Sequence, residues 1–279
     1  MVAVALGIAT AVCWGLADFL GGLRAKRLSL AVVLLASQLT AAAAIAFVVL
    51  IVRPEVPSAG DLTPAVLAGL CQLFGIAALY RALAIGTMSV VSPVSASGAA
   101  ALPVIVGLAG GERSGAVVYA GMAAAFVGVV LATRARGEEG LGTDSGLALA
   151  AVAALGFGGF YVGMDAAVDS VDPFMALLAA RVTAGVALVL VVLAVRPRLD
   201  SERALLPSLV VIGLLDVSAN TAFTLGVETG LVSVVSVLAS LYPVGTVLLA
   251  RGVLGERLAV VQAVGVGVAL AGVALIAAG

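Results

Sequence analysis

Histidine is absent from these 279 residues. Its absence removes the commonest metal ligand, a frequent general base and the side chain that most readily switches charge near neutral pH. Charge is scarce as well. Asp, Glu, Lys and Arg make up 10% of the chain, against about 25% in ordinary globular proteins. A soluble fold of this length needs far more charge to cover its surface, so the composition excludes one. The net charge of −1 leaves no basic footprint for nucleic acid. Cysteine is limited to Cys13 and Cys71, both inside apolar runs, where they read as small core hydrophobes. With no histidine and no ligand cluster, neither a metal nor a cofactor is expected.

What the chain has instead is apolar sequence, 63% of all residues. A helix needs about 20 apolar residues to cross a ~30 Å hydrocarbon core. Ten such stretches can be marked: 3–21, 30–52, 65–85, 88–109, 115–133, 146–167, 174–195, 205–227, 231–251 and 258–278. Short separators hold the breakers and charges, such as Arg53-Pro54-Glu55 and Arg196-Pro197-Arg198. The runs do not alternate as porin strands would. The first begins almost at Met1 without a basic leader and is read as a membrane helix rather than a cleaved signal.

The two halves are related. Gly86, Ser89 and Ser92 match Gly230, Ser233 and Ser236, and Gly111-Glu112-Arg113 matches Gly255-Glu256-Arg257, all 144 residues apart. At that offset 13 of the 44 positions from Ser89 to Ala132 are identical. Further upstream the offset is 143: Trp14-Gly15 with Phe157-Gly158, and Arg53-Pro54 with Arg196-Pro197. The expected organisation is a first repeat at 1–137, a linker at 138–145 and a second repeat at 146–279. The fold class is all-α integral membrane, ten transmembrane helices as two inverted five-helix repeats. An odd number of crossings inverts the second copy, the arrangement secondary transporters use to expose a midplane site alternately.

These residues carry a family resemblance. Trp14-Gly15, the segment Ala78-Leu79-Tyr80-Arg81-Ala82-Leu83 running into Ser89-Val90-Val91-Ser92, and the Gly-Glu-Arg signatures at Glu112 and Glu256 resemble the EamA-type branch of the drug/metabolite transporter superfamily. The resemblance implies a ten-helix carrier of small metabolites or drugs, frequently an exporter, in the cell (inner) membrane. Asp18 departs from the family's pattern, which more often has neutral residues there.

An ionisable residue near mid-bilayer costs about 2.5–3.5 kcal/mol on insertion scales and asks for a reason. Asp18, Arg81, Asp165, Arg181 and Asp216 qualify. Let side A be the face holding the N-terminus. Position along the spans puts Asp18 and Arg81 at similar depth near side B, where they can pair. Arg181 and Asp216 are separated in depth by a distance an arginine side chain bridges, with Asp165 as rival partner. Asp216, Asn220 and Thr224 share one helical face. Gln72, the repeat partner of Asp216, shares a face with Tyr80. A buried aspartate can bind a charged substrate or carry a coupling proton; a static ion pair that fixes helix register is the other reading. The expected substrate or coupling residues are Asp216, Arg181, Asn220, Asp18, Arg81, Trp14, Gln72, Tyr80 and Ser236.

Other small and polar residues read as framework. Ser89, Ser92 and Ser95, and Ser233, Ser236 and Ser240, suit close helix packing or substrate contact. Pro93, Pro103 and Pro243 can kink helices along a pathway. Gly121, Gly128, Gly265 and Gly272 form smooth stripes, expected as scaffold or as a homodimer interface. Glu112 and Glu256 open spans five and ten, where a carboxylate complements a helix N-terminus. Side B loops carry ten Lys or Arg against two on side A, which places side B in the cytoplasm; the family resemblance favours cytoplasmic termini instead. The expected partners are a small-molecule substrate, the lipid bilayer and a coupling proton. An intramembrane lipid-modifying enzyme, a non-transporting scaffold and a channel are the alternative classes.

Overall fold

The structure, a computed structural model, describes residues 2–109, 115–134, 142–199, 202–229, 238–239 and 241–279. It is all-helical, with no strand among the described residues. The helices are α1 (Val2–Ala25), α2 (Leu30–Val52), α3 (Thr63–Ile85), α4 (Met88–Ala109), α5 (Ala116–Arg134), α6 (Gly142–Val168), α7 (Pro173–Val195), α8 (Leu206–Thr229), α9 (Tyr242–Leu254) and α10 (Val260–Ala278). Six stretches are long and apolar enough to cross a bilayer: Val2–Ala25, Leu30–Val52, Thr63–Ile85, Ser145–Val168, Pro173–Val195 and Arg203–Phe223. Shorter apolar stretches lie in α5, α9 and α10. The outer surface is apolar too, with Phe47, Phe74 and Phe126 each more than 60% exposed. Exposed aromatic rings in such number suit acyl chains and not water.

Local chemistry sets the helix ends. Ser29 caps α2, its side chain accepting from the Val32 N–H at 3.4 Å. Asp172 caps α7 by accepting from Phe174 N at 2.9 Å and Met175 N at 3.3 Å, with Pro173 following at the position that needs no N–H. The two repeats end their second helices alike. Arg53 and Arg196 sit in the left-handed region at φ 52° and 49°, and a proline follows each. A non-glycine residue there is uncommon, so the shared geometry reflects the sequence match at offset 143.

Packing follows a pattern of exchange. α3 packs on α6 and α1 on α8; α4 packs on α6 and α1 on α9; α2 packs on α8 and α3 on α7. Replacing each helix by the one five places along turns the first member of each pair into the second. α2–α7, α4–α9 and α5–α10 are contacts between counterparts. Hydrogen bonds pin the α1 seam: Thr10 Oγ1 donates to the Ala219 carbonyl at 3.3 Å, and Thr246 Oγ1 donates to the Gly15 carbonyl at 3.2 Å.

The glycine stripes find their use inside the chain. A Cβ on Gly121 would stand 2.8 Å from the Gly272 carbonyl oxygen, and one on Gly128 would stand 2.7 Å from the Gly265 oxygen. The stripes of α5 and α10 therefore face each other, and this face is not free to join a second copy. Glu256 also differs from expectation. α10 starts at Val260, and Gln262 Oε1 accepts from the Ala259 N–H at its N-terminus. Glu256 instead turns to α4 and accepts from Met88 N at 3.0 Å and Ser89 N at 2.9 Å. Gly255, left-handed at φ 67°, makes that turn. Glu112 lies outside the described residues.

Gly128→Leu and Gly272→Leu each force α5 and α10 apart and are expected to lower the unfolding temperature in detergent, at a cost of about 1–3 kcal/mol. Gly267→Ala, in open space, is expected to leave it unchanged or slightly raised. Equal melting of all three variants with the parent would contradict the packing.

Candidate functional site

A cavity lies among α1, α2, α3, α6, α7, α8 and α9. Its walls are Trp14, Asp18, Gln38, Gln72, Ile76, Phe157, Phe160, Tyr161, Arg181, Asp216, Asn220 and Tyr242. Ten of these twelve are repeat counterparts of one another. Trp14 stands with Phe157, Asp18 with Tyr161 and Gln38 with Arg181 at offset 143; Gln72 stands with Asp216 and Ile76 with Asn220 at offset 144. The two halves thus present the same five positions to one space. The chemistry at those positions is not the same. Trp14 and Phe157 are both aromatic, but Asp18 corresponds to Tyr161 and Ile76 to Asn220, and in Gln38–Arg181 and Gln72–Asp216 a neutral amide corresponds to a charge.

The centre of the site is an ion pair. Arg181 Nη2 lies 2.7 Å from Asp216 Oδ2, with Arg181 1% and Asp216 18% exposed. Arg181 Nη1 donates to Gln38 Oε1 at 3.0 Å. Asn220, one turn beyond Asp216, donates to the Asp216 carbonyl at 2.7 Å. These contacts hold the guanidinium by one carboxylate and one amide, while its Nε–H keeps no partner among the described residues. Gln72 Oε1 is also buried without a partner there. A donor and an acceptor are left open in the same cavity.

Asp18 is the second carboxyl in the cavity, 8% exposed, and it has no ion-pair or hydrogen-bond partner among the described residues. Around it the wall is aromatic. Trp14 lies one turn earlier on α1, with its ring 5.9 Å from Tyr242 edge-on and 6.2 Å from Phe223. The cavity is small, ≈ 40 Å³ as seen by a water-sized sphere. That admits only a few waters, at about 10–15 Å³ each on this measure.

Of the residues singled out from the sequence, Asp216, Arg181, Asn220, Asp18, Trp14 and Gln72 line this cavity. Tyr80 does not; it is buried in the core, its ring packed over Gly21. Arg81 is exposed and makes no pair with Asp18. Depth along the span matched, but the next residue on a helix points about 100° away, and inward-facing Tyr80 sends Arg81 outward. Asp165 is likewise exposed and does not compete for Arg181. Ser236 lies outside the described residues. Gln38, Ile76, Phe157, Phe160, Tyr161 and Tyr242 were not anticipated. The repeat offset signals four of them, since 181 − 143 gives Gln38, 18 + 143 gives Tyr161, 14 + 143 gives Phe157 and 220 − 144 gives Ile76.

Residues 144–278 match the EamA-like transporter family. That match covers the second half of the chain. EamA is part of the drug/metabolite transporter superfamily, whose EamA members are transporters and not enzymes. This EamA-like half supplies Arg181, Asp216 and Asn220 to the cavity. No curated protein matches the chain in sequence. Chains of solved structures do match in fold. One, titled only as the crystal structure of a protein, superposes with a TM-score of 0.64 over 98% of this chain and 95% of its own, at 15% identity. That likeness concerns the fold alone.

Asp216→Ala leaves the Arg181 charge buried and uncompensated, and is expected to cost about 3–5 kcal/mol of stability. Combining Arg181→Met with Asp216→Leu is expected to recover most of it. A double-mutant cycle in thermal unfolding over Arg181→Met and Asp216→Leu, each alone and combined, checks this; additive losses would show that the two charges are not coupled.

Proposed function

We propose that the chain is a secondary active transporter that moves a small polar metabolite or drug across the cell (inner) membrane by alternating access. It works as an exporter driven by protons or by exchange. The observation that carries this reading is the cavity built from five repeat-related positions, with an ion pair and a lone carboxyl at its heart. In this reading the ten helices are two five-helix units of opposite sense, and the exchange of packing partners between α1–α5 and α6–α10 supports it. Related halves around one polar space provide two equivalent ways to open it, one to each face.

The charges divide the work. Arg181 is held by Asp216 and Gln38 and keeps an Nε–H without a partner among the described residues, which suits an anionic or carbonyl group of the substrate. Asp18 has no counter-charge among the described residues and shares the cavity with Trp14 and Tyr242, a setting that accepts either a substrate cation, through charge and ring faces, or a proton. A carboxyl that is alternately protonated and substrate-bound couples the two fluxes, because only the neutralised cavity crosses between states at low cost. The closed form of the cavity excludes bulk water, so the bound substrate's polar groups must be satisfied by these side chains.

The test is flux in proteoliposomes, with substrates drawn from a ligand-stabilisation screen of the purified protein against amino acids, nucleosides, sugars and cationic drugs. Saturable, counter-substrate-stimulated flux is expected. Asp18→Asn is expected to abolish gradient-driven accumulation while retaining exchange. Unchanged pH-driven transport in that variant would remove Asp18 from coupling, and identical flux with and without protein would overturn transport itself.

A further inference from the structure

Glu256 belongs to the loop between α9 and α10, in the second repeat, yet its carboxylate holds the first turn of α4, in the first. Both oxygens are engaged, Oε1 by the Met88 N–H and Oε2 by the Ser89 N–H. A carboxylate on two free N–H groups of a helix start is a charge-assisted cap. Its own helix does not require it, because Gln262 serves the N-terminus of α10. The Gly-Glu-Arg signature therefore ties the two halves together at the face where α4 and α10 begin.

What it ties down is a helix with unmet demands. α4 contains Pro93 and Pro103, which remove two backbone donors from its interior. Along it the hydroxyls of Ser89, Ser92, Ser95 and Ser97 are all buried, and none has a hydrogen-bond partner among the described residues. Buried hydroxyls without partners are costly and gain when water reaches them. The cap draws the start of α4 inward; the serine row favours a state in which that end is wet. Two opposing terms at one helix end make a bistable element.

We infer that Glu256 is a latch between the halves, closed in this structure, whose release lets the start of α4 part from the α9–α10 loop and opens the face on which they lie. The inference rests on the alternating-access reading. It also gives the sequence repeat a role: Glu112 stands 144 residues earlier in the matching signature, and two halves of opposite sense would set it to the opposite face.

Labelling measures this without any substrate. In a background of Cys13→Ser and Cys71→Ser, Ser92→Cys is attacked by a membrane-impermeant maleimide added at the face carrying residues 255–259, with the protein in lipid vesicles. Slow labelling is expected in the parent. Glu256→Ala is expected to raise the rate about tenfold, the scale of losing a hydrogen bond to a charged group. Glu256→Gln keeps an acceptor and is expected to fall between them. Glu112→Ala is expected to slow the same labelling. Unchanged rates in Glu256→Ala, or equal acceleration by Glu256→Ala and Glu112→Ala, would reduce Glu256 to a plain cap and overturn the latch. Should Glu256→Ala fail to fold, the comparison of Glu256→Gln with Glu112→Gln carries the same opposite-sign test. Because flux is not read, a latch that fails here leaves transport standing, and transport that fails leaves these rates interpretable.

Discussion

A guanidinium buried to 1% exposure beside a carboxylate at 2.7 Å is the contact on which this architecture turns. Neither charge is tolerable alone inside an apolar bundle. Arg181 comes from α7, Asp216 from α8 and the supporting Gln38 from α2. To keep these three together, α2 must pack against both α7 and α8, and it does. The pair together with Gln38 thus joins helices of both halves around one point. It also leaves the guanidinium incompletely satisfied, since Nε has no partner among the described residues. An unused donor adds nothing to a structural ion pair and suits the substrate-binding role proposed above.

The rest of the framework lets that point be enclosed yet divisible. Glycines on α5 and α10 bring backbones into direct contact and lock a peripheral pair of counterpart helices. By contrast, α4 holds prolines and buried serines without partners among the described residues, and is fastened at its start by a carboxylate from the other half. The α5–α10 seam is thus close-packed, whereas α4 is fastened at its start from the α9–α10 loop. Motion concentrates where packing is least complete, so in the proposed alternating-access cycle α5 and α10 serve as scaffold and α4 moves.

Much of this was legible before any coordinates. Hydropathy alone marked the six stretches that are long and apolar enough to cross a bilayer among the described residues, because a crossing demands about 20 apolar residues. The repeat was visible in matched serines, glycines and Gly-Glu-Arg signatures, and Asp216 with Asn220 emerged from helical spacing. Depth without azimuth misled at Arg81. The position of a charge along a span follows from counting, but its face depends on which neighbours the helix packs against, and inward-facing Tyr80 decided that. Glu256 was assigned to its nearest helix start, whereas a left-handed glycine delivered it to another. Gln38 and Tyr161 carry no signal of their own; only their repeat counterparts Arg181 and Asp18 give them away.

The central claim is that one polar cavity between the two halves meets water from both membrane faces in turn. Its most direct measurement places a single cysteine at Ile76, on the cavity wall, in a chain otherwise free of cysteine. Impermeant thiol reagents are then applied to each face of sealed vesicles with known protein orientation. The account predicts reaction from either face, with ligands that favour one state raising one rate and lowering the other. Reaction from one face only, under every condition, would contradict it.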